Sequence, residues 1–188
     1  MGRIVVTEFV SLDGVVEAPG GGEGFVHDGW SFEFSRGEEG DQFKLDETVD
    51  SAALLLGRAT YEGFAEAWPS RDGEFADKFN SMPKYVVSST LKDPEWTNTT
   101  VLDGDVKEAV TKLKEDVDGN IVVHGSARLA QTLFDLDLVD RLHLMVFPVA
   151  LGAGKRLFGE TSAKRTLELA ESQTVGDGVA ILVYRKAG

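Results

Sequence analysis

The sequence predicts an α/β fold on a mostly parallel sheet, closed at its C-terminal end by an antiparallel hairpin. Two observations predict it. Short apolar runs alternate with helical segments along the 188 residues, and two strand-like runs flank Gly176-Asp177-Gly178 near the end. Alternating strands and helices imply parallel crossovers, whereas a tight Gly-Asp-Gly turn implies a hairpin. No internal repeat or linker divides the chain, so residues 1–188 are expected to form one domain.

The elements follow in order. Arg3 to Val10 is rich in Val, Ile, Thr and Phe and stops at the turn signal Ser11-Leu12-Asp13-Gly14, which marks a buried strand. Pro19 to Gly24 is glycine-rich and expected to be a mobile loop, with His27 and Asp28 in the same segment. A weakly patterned helix is expected over about Gly40 to Val49, with Leu45 and Val49 one turn apart. Ala52 to Leu56 is a continuous apolar run suited to a strand covered on both faces. Tyr61, Phe64 and Trp68 share the face of a short helix ended by Pro69, and Phe75, Phe79 and Met82 mark another helical face. Lys84 to Ser88 is the next strand. Asp105 to Val117 is the clearest helix, with Asp105 and Glu108 at capping-box spacing and Val106, Ala109, Val110, Leu113 and Val117 in one stripe. Ile121 to Val123, a helix carrying Leu129, Leu133 and Phe134, and an alternating strand over Arg141 to Phe147 lead to the hairpin of Leu167 to Val175 and Val179 to Arg185.

Composition excludes several functions. With 42% hydrophobic and 27% charged residues the chain is that of an ordinary globular protein. A net charge of -13 disfavours nucleic acid and anionic membrane surfaces, both of which bind through Lys and Arg. The absence of cysteine removes disulfides, thiolate metal sites and thiol nucleophiles. No signal-peptide pattern or membrane-length apolar run is present, so a cytoplasmic location is expected. The three histidines, His27, His124 and His143, share no metal-ligand spacing, and His143 is expected to be a packed residue. No metal site is expected.

Two apolar strands end in glycine followed by a helix, at Gly57-Arg58-Ala59-Thr60 and at His124-Gly125-Ser126-Ala127-Arg128. Glycine lets the backbone approach a phosphate, helix N-termini present free N–H groups, and Arg58 offers a fork for an anion. Each turn alone reads first as ordinary strand-to-helix turn chemistry; their pairing in one sheet is the stronger pointer to a ligand. Neither has the full G-x-G-x-x-G spacing. Gly152-Ala153-Gly154-Lys155 is not a phosphate loop: Val149 stands where the earlier glycine is required and Arg156 where the hydroxyl is. It is expected to be a structural or interface loop.

These motifs, in this order, resemble the dihydrofolate-reductase superfamily, and within it the branch of RibD C-terminal-domain proteins, over nearly the whole chain. Ser11-Leu12-Asp13-Gly14 is similar to that branch's first-strand signature, and Pro148 to Gly154 to a later one. The resemblance implies NADPH as cofactor. Gly57, Arg58 and Thr60 would meet its phosphates, and Ser88 and Ser89 the adenosine 2′-phosphate. His124, Gly125, Ser126, Ala127 and Arg128 would lie under the pyrophosphate and nicotinamide ribose. Leu12, Asp13 and Trp30 would line a pocket for a flat ring, although core packing is an equal expectation for Trp30. Asp13 is the candidate for acid chemistry, although an Asp before Gly is first a turn residue. Where dihydrofolate reductases place a carboxylate after the tryptophan, Ser35 stands here; Glu33 is the nearest acid. Nor is there any Arg or Lys between Asp13 and Phe34 for a substrate phosphate. The implied function is NADPH-dependent reduction of a small pyrimidine- or pterin-like substrate, related to the riboflavin-pathway reductase and carried out by a homodimer. The alternative is a non-catalytic nucleotide- or flavin-binding protein on the same scaffold.

Overall fold

A computed structural model describes residues 1–160 and 163–187. Its sheet runs in the order β4-β3-β2-β5-β1-β6-β8-β7. The strands are β1 (Arg3–Ser11), β2 (Ser51–Gly57), β3 (Lys84–Val87), β4 (Thr99–Leu102), β5 (Asn120–His124), β6 (Arg141–Phe147), β7 (Leu167–Val175) and β8 (Val179–Lys186). From β4 to β6 every pairing is parallel, and β8 and β7 add antiparallel at the β6 edge. The expected fold class, a dihydrofolate-reductase-like α/β sheet with an antiparallel C-terminal hairpin, is what the chain forms.

β1 is central because it is covered on both faces. Ile4, Val6 and Val10 point into a core shared with α4 (Val106–Asp116) and α5 (Ala127–Asp135). Val5 is equally buried on the opposite face. There α1 (Gly37–Val49) and α3 (Glu74–Ser81) lie, with α2 (Arg58–Ala67) beside β2 and β3. α4 starts as its sequence dictates: Asp105 Oδ1 accepts the Glu108 N–H at 2.9 Å.

Three expectations are corrected. β4 was not expected; Thr99–Leu102 is four residues long, half-buried at the sheet edge, and too short for alternation to register. The inward face of α1 is not that of Leu45 and Val49. Gly40, Lys44 and Thr48 are the buried positions and Val49 is 42% exposed, because the sheet surface opposite carries polar side chains that demand polar partners. The glycine-rich loop is also pinned: Asp28 accepts the N–H groups of Gly22 at 2.9 Å, Glu23 at 3.3 Å and Gly24 at 3.3 Å.

Lys84 shows how the fold buries a charge. Its Nζ donates to the carbonyls of Asn80, Met82 and Thr97 at 2.6, 2.9 and 3.0 Å and lies 4.4 Å from the Trp96 ring. It thereby closes the C-terminal end of α3. Burial lowers its pKa to about 8. Lys84→Met is expected to lower stability by about 1–2 kcal/mol, since the carbonyls lose their donor. Denaturant unfolding measures this, and an unchanged midpoint would contradict the role.

Candidate functional site

The two glycine turns meet. β2 and β5 are sheet neighbours, so the N-termini of α2 and α5, which lie on opposite faces of the sheet, meet at its carboxyl edge. Ser126 Oγ accepts the Gly57 N–H at 3.0 Å, and Thr60 Oγ1 accepts the Ser126 N–H at 3.0 Å. Each turn thus holds the other. Gly125 has φ +64°, and a Cβ there would come 3.3 Å from Thr60 Cγ2, so this close approach needs glycine. Neither α2 nor α5 has a side chain capping its N-terminus, which leaves backbone N–H groups of two adjacent helices available to an anion. Ala127 opens α5 and Arg128 follows it, exposed.

Arg58 extends the cradle towards β3. Its Nε bonds Glu62 at 2.7 Å and its Nη1 bonds Thr90 Oγ1 at 2.7 Å. Ser88 Oγ accepts the N–H groups of Thr90 and Leu91, and Ser89 is exposed beside them. A half-exposed guanidinium and a set of hydroxyls so placed suit a phosphate monoester.

The substrate end is arranged differently from expectation. Asp13 staples a loop: its carboxylate accepts the Ser11 hydroxyl at 2.6 Å and the N–H groups of Leu151 at 3.0 Å and Gly152 at 2.8 Å. The Ser11 bond, then the two backbone bonds, hold its carboxyl well below the usual carboxylate range. An ionised carboxylate has no proton to give, so the geometry makes Asp13 a turn-holding group. The Gly152–Lys155 loop is structural as well, with Lys155 N–H on Glu17 at 2.8 Å and Arg156 Nε on the Asp13 carbonyl at 2.9 Å. That loop brings two cations to a segment that has none of its own.

Trp30 is 1% exposed. Its indole donates to the Glu17 carbonyl at 2.8 Å and meets Phe147 edge-on at 5.4 Å. It is a core residue. Leu12 is 67% exposed and Glu33 is exposed on the short 3-10 helix Trp30–Glu33. Ser35, in the place of the expected carboxylate, docks the β7–β8 turn: its N–H reaches Asp177 Oδ2 at 2.8 Å, and its carbonyl accepts the Asp177 N–H at 2.8 Å. A Cβ on Gly176 would lie 2.0 Å from the Ser35 carbonyl, so the turn requires glycine there.

The sequence reading missed a buried polar layer one step below these turns. Register places Thr7 beside His124 on β5 and His143 on β6. From α1, Glu47 accepts Thr7 Oγ1 at 3.1 Å and pairs with His143 Nδ1 at 2.7 Å and with Lys44 Nζ. Lys44 Nζ also donates to Thr7 Oγ1 at 2.9 Å. Burial would raise the Glu47 carboxyl, but the charge of Lys44 and the His143 bond hold it far below its ordinary value. His124 belongs to this layer more than to the phosphate turn. Its ring meets Phe79 edge-on at 5.4 Å, and its Nε2, like that of His143, is buried with no partner among the described residues. The signal in the sequence was polar spacing on α1, Gly40, Lys44, Glu47 and Thr48, with Thr7 inside an apolar strand. Glu8 is the second such signal: a single acid within Arg3–Val10, 3% exposed, with its Oε1 unpartnered among the described residues.

A groove lined by Phe134, Asp137, Val139, Arg165 and Lys186 opens at the amino-terminal end of β6, the opposite end of the sheet from the glycine turns. Among the described residues no helix is long and apolar enough to cross a membrane, and no group of three acidic or histidine side chains could hold a metal.

Comparison with known proteins places the chain. Two proteins of Bacillus subtilis (strain 168), the uncharacterized YyaP and YwjB, are each 28% identical to it; YyaP aligns over 99% of this chain and 96% of its own. A crystal structure from Shewanella sp. PV-4, assigned to riboflavin biosynthesis, superposes with a TM-score of 0.79 at 20% identity and covers 99% of both chains. A pyrimidine reductase-like protein from Corynebacterium diphtheriae gives 0.69 at 14% identity, over 99% of this chain and 92% of that one. Acinetobacter baumannii RibD gives 0.67 at 14% identity, all of this chain matching 58% of that longer one. The model of the RibD C-terminal domain matches residues 3–181, and the chain belongs to that family.

Proposed function

We propose that the protein is a cytoplasmic NADPH-dependent reductase of a small heterocyclic substrate, pyrimidine- or pterin-like. The observation that carries this reading is the clasp of Gly57, Thr60, Gly125 and Ser126 beside Arg58, Ser88 and Thr90. Two uncapped helix N-termini suit the pyrophosphate, and the Arg58 group, with Ser88 and Ser89, suits a third phosphate on the adenosine. Ala127 and Arg128 on the first turn of α5 would flank the nicotinamide ribose. When bound, the nicotinamide supplies the hydride; the chain's part is to orient the two rings and exclude water. A homodimer is part of the reading: Leu144, Val146, Leu182 and Tyr184 are only partly buried on one face of β6 and β8, and Leu169 on β7 is 50% exposed.

Saturating NADPH is expected to stabilise the protein by about 2.7 kcal/mol at a hundredfold excess over Kd, a rise of roughly 5–10 °C in Tm. Arg58→Ala should weaken NADPH at least about tenfold more than NADH, because the extra phosphate loses its charged partner. Absence of any thermal shift would defeat the reading, and equal losses for both cofactors would defeat the phosphate assignment.

The engagement of Ser35 with Asp177, with no carboxylate in its place, favours a second reading: a nucleotide- or flavin-binding protein without catalysis. NADPH binding without its oxidation across a panel of pterins, pyrimidines and flavins would support it; one turnover would end it.

A further inference from the structure

β1 outruns β5. The two strands pair from Arg3 with Asn120 to Thr7 with His124; β5 then turns away through Gly125, while β1 stays in register with β6 as far as Ser11. From Glu8 onward β5 no longer pairs with that edge of β1, and the Gly125-Ser126 turn follows β5 on the other side of this gap in the pairing. Open α/β sheets bind ligands at such a point. Glu8 is the first residue past the last β5 pair. Side chains alternate along a strand, so Glu8 leaves the sheet on the face of Val6 and Val10, above which α5 packs.

The carboxyl of Glu8 is buried and its Oε1 lacks a partner among the described residues. Burial pushes it well above its ordinary range, opposed only in part by the charge of Lys44. The surroundings offer little else. On its own face α5 contributes Leu129 and Ala130, β6 contributes Leu144, and the loop beyond β1 contributes Val16 and Leu157. Arg156 is tied to Asp13. On the other face Lys44, Glu47 and His143 are bonded to one another, with His124 beside them. A buried polar group left without a partner costs about 1–3 kcal/mol, a cost removed when a ligand pairs with it.

We propose that the carboxylic acid of Glu8 pairs with the carboxamide of the nicotinamide ring, its hydroxyl donating to the amide oxygen and its carbonyl accepting from the amide nitrogen. A neutral acid presents a donor beside an acceptor, which complements a primary amide; a carboxylate presents acceptors only. The pairing rests on the NADPH reading above and fixes which way the ring turns where β1 and β5 part.

Calorimetric titration with NADPH and with 2′-phospho-ADP-ribose, which lacks the nicotinamide, separates the two ends of the cofactor. Glu8→Leu should weaken NADPH about tenfold or more and leave 2′-phospho-ADP-ribose within about twofold of the wild type. Glu8→Gln retains a donor and an acceptor and should keep NADPH affinity within about threefold. The infrared difference spectrum on adding NADPH should show a shifted carboxylic-acid carbonyl band in the wild type and none in Glu8→Gln. Unchanged NADPH affinity in Glu8→Leu, equal weakening of both ligands, or no acid band would each overturn the pairing. If the wild type fails to bind even 2′-phospho-ADP-ribose, the NADPH reading itself fails and takes the pairing with it.

Discussion

Glu47→Ala is expected to lower the unfolding free energy by about 3–5 kcal/mol, because it leaves the ammonium of Lys44 buried without its counter-charge. Lys44 and Glu47 have side chains only 9% and 4% exposed, so water cannot replace the lost partner. His143 loses the acceptor of its Nδ1, and Thr7 loses the acceptor of its hydroxyl. The double variant Lys44→Met with Glu47→Ala should recover a large part of the loss, since removing both charges spares their desolvation. Urea unfolding of the three variants measures both effects. A loss below about 1 kcal/mol for Glu47→Ala would mean that the pair is solvated, as an exposed ion pair is.

Acidification should destabilise the fold earlier than carboxylate titration alone would. The imidazole of His124 is pushed down to about 3, first by burial and then by the charge of Lys44, against about 6.5 in an unfolded chain. Between those values the unfolded chain takes up a proton that the folded one refuses. The contribution of His124 to stability is therefore full above about pH 6.5 and falls as the pH drops towards about 3. Glu47 acts in the same direction from about pH 4.3 downward, because its folded carboxyl stays ionised where the unfolded one does not. Together they should remove roughly 2–4 kcal/mol between about pH 7 and about pH 4. His124→Gln should flatten the upper part of that decline and leave the lower part. The comparison of His124→Gln with the wild type isolates the histidine, because the buried Glu8 carboxyl is raised and adds stability in both as the pH falls. Identical profiles of urea midpoint against pH for the two proteins would refute the buried neutral histidine.

The parts of this structure legible in the sequence are those set by local chemistry. The apolar runs at Ala52–Leu56 and Ile121–Val123 are strands because only a sheet covered on both faces buries them completely. Asp105 caps α4 because its carboxylate and the third N–H of the helix are neighbours in the chain. The meeting of the Gly57 and Gly125 turns was legible for the same reason, since each follows a strand of one parallel sheet. What escaped depends on partners far apart in sequence. Asp13 could be read as a turn residue or a candidate acid, but not as the clamp on Leu151 and Gly152, which come from 138 and 139 residues away. Leu45 and Val49 looked like the buried stripe of α1, because nothing local reveals that Thr7 and His143 make the opposing surface polar. Trp30 was read both ways, and its indole bond to Glu17 decides for packing.

The position of β1 has a consequence during synthesis. Within this sheet β1 precedes both of its neighbours, β5 and β6, which begin more than a hundred residues later, at Asn120 and Arg141. At a ribosomal rate of about 5–20 residues per second, the apolar run from Ile4 to Val10 waits on the order of ten seconds before any strand can pair with it. Until then its edges are open to other chains, and its non-local pairing makes the last step of folding slow. Heterologous expression is therefore expected to yield more soluble protein when a chaperone that holds exposed strands is supplied.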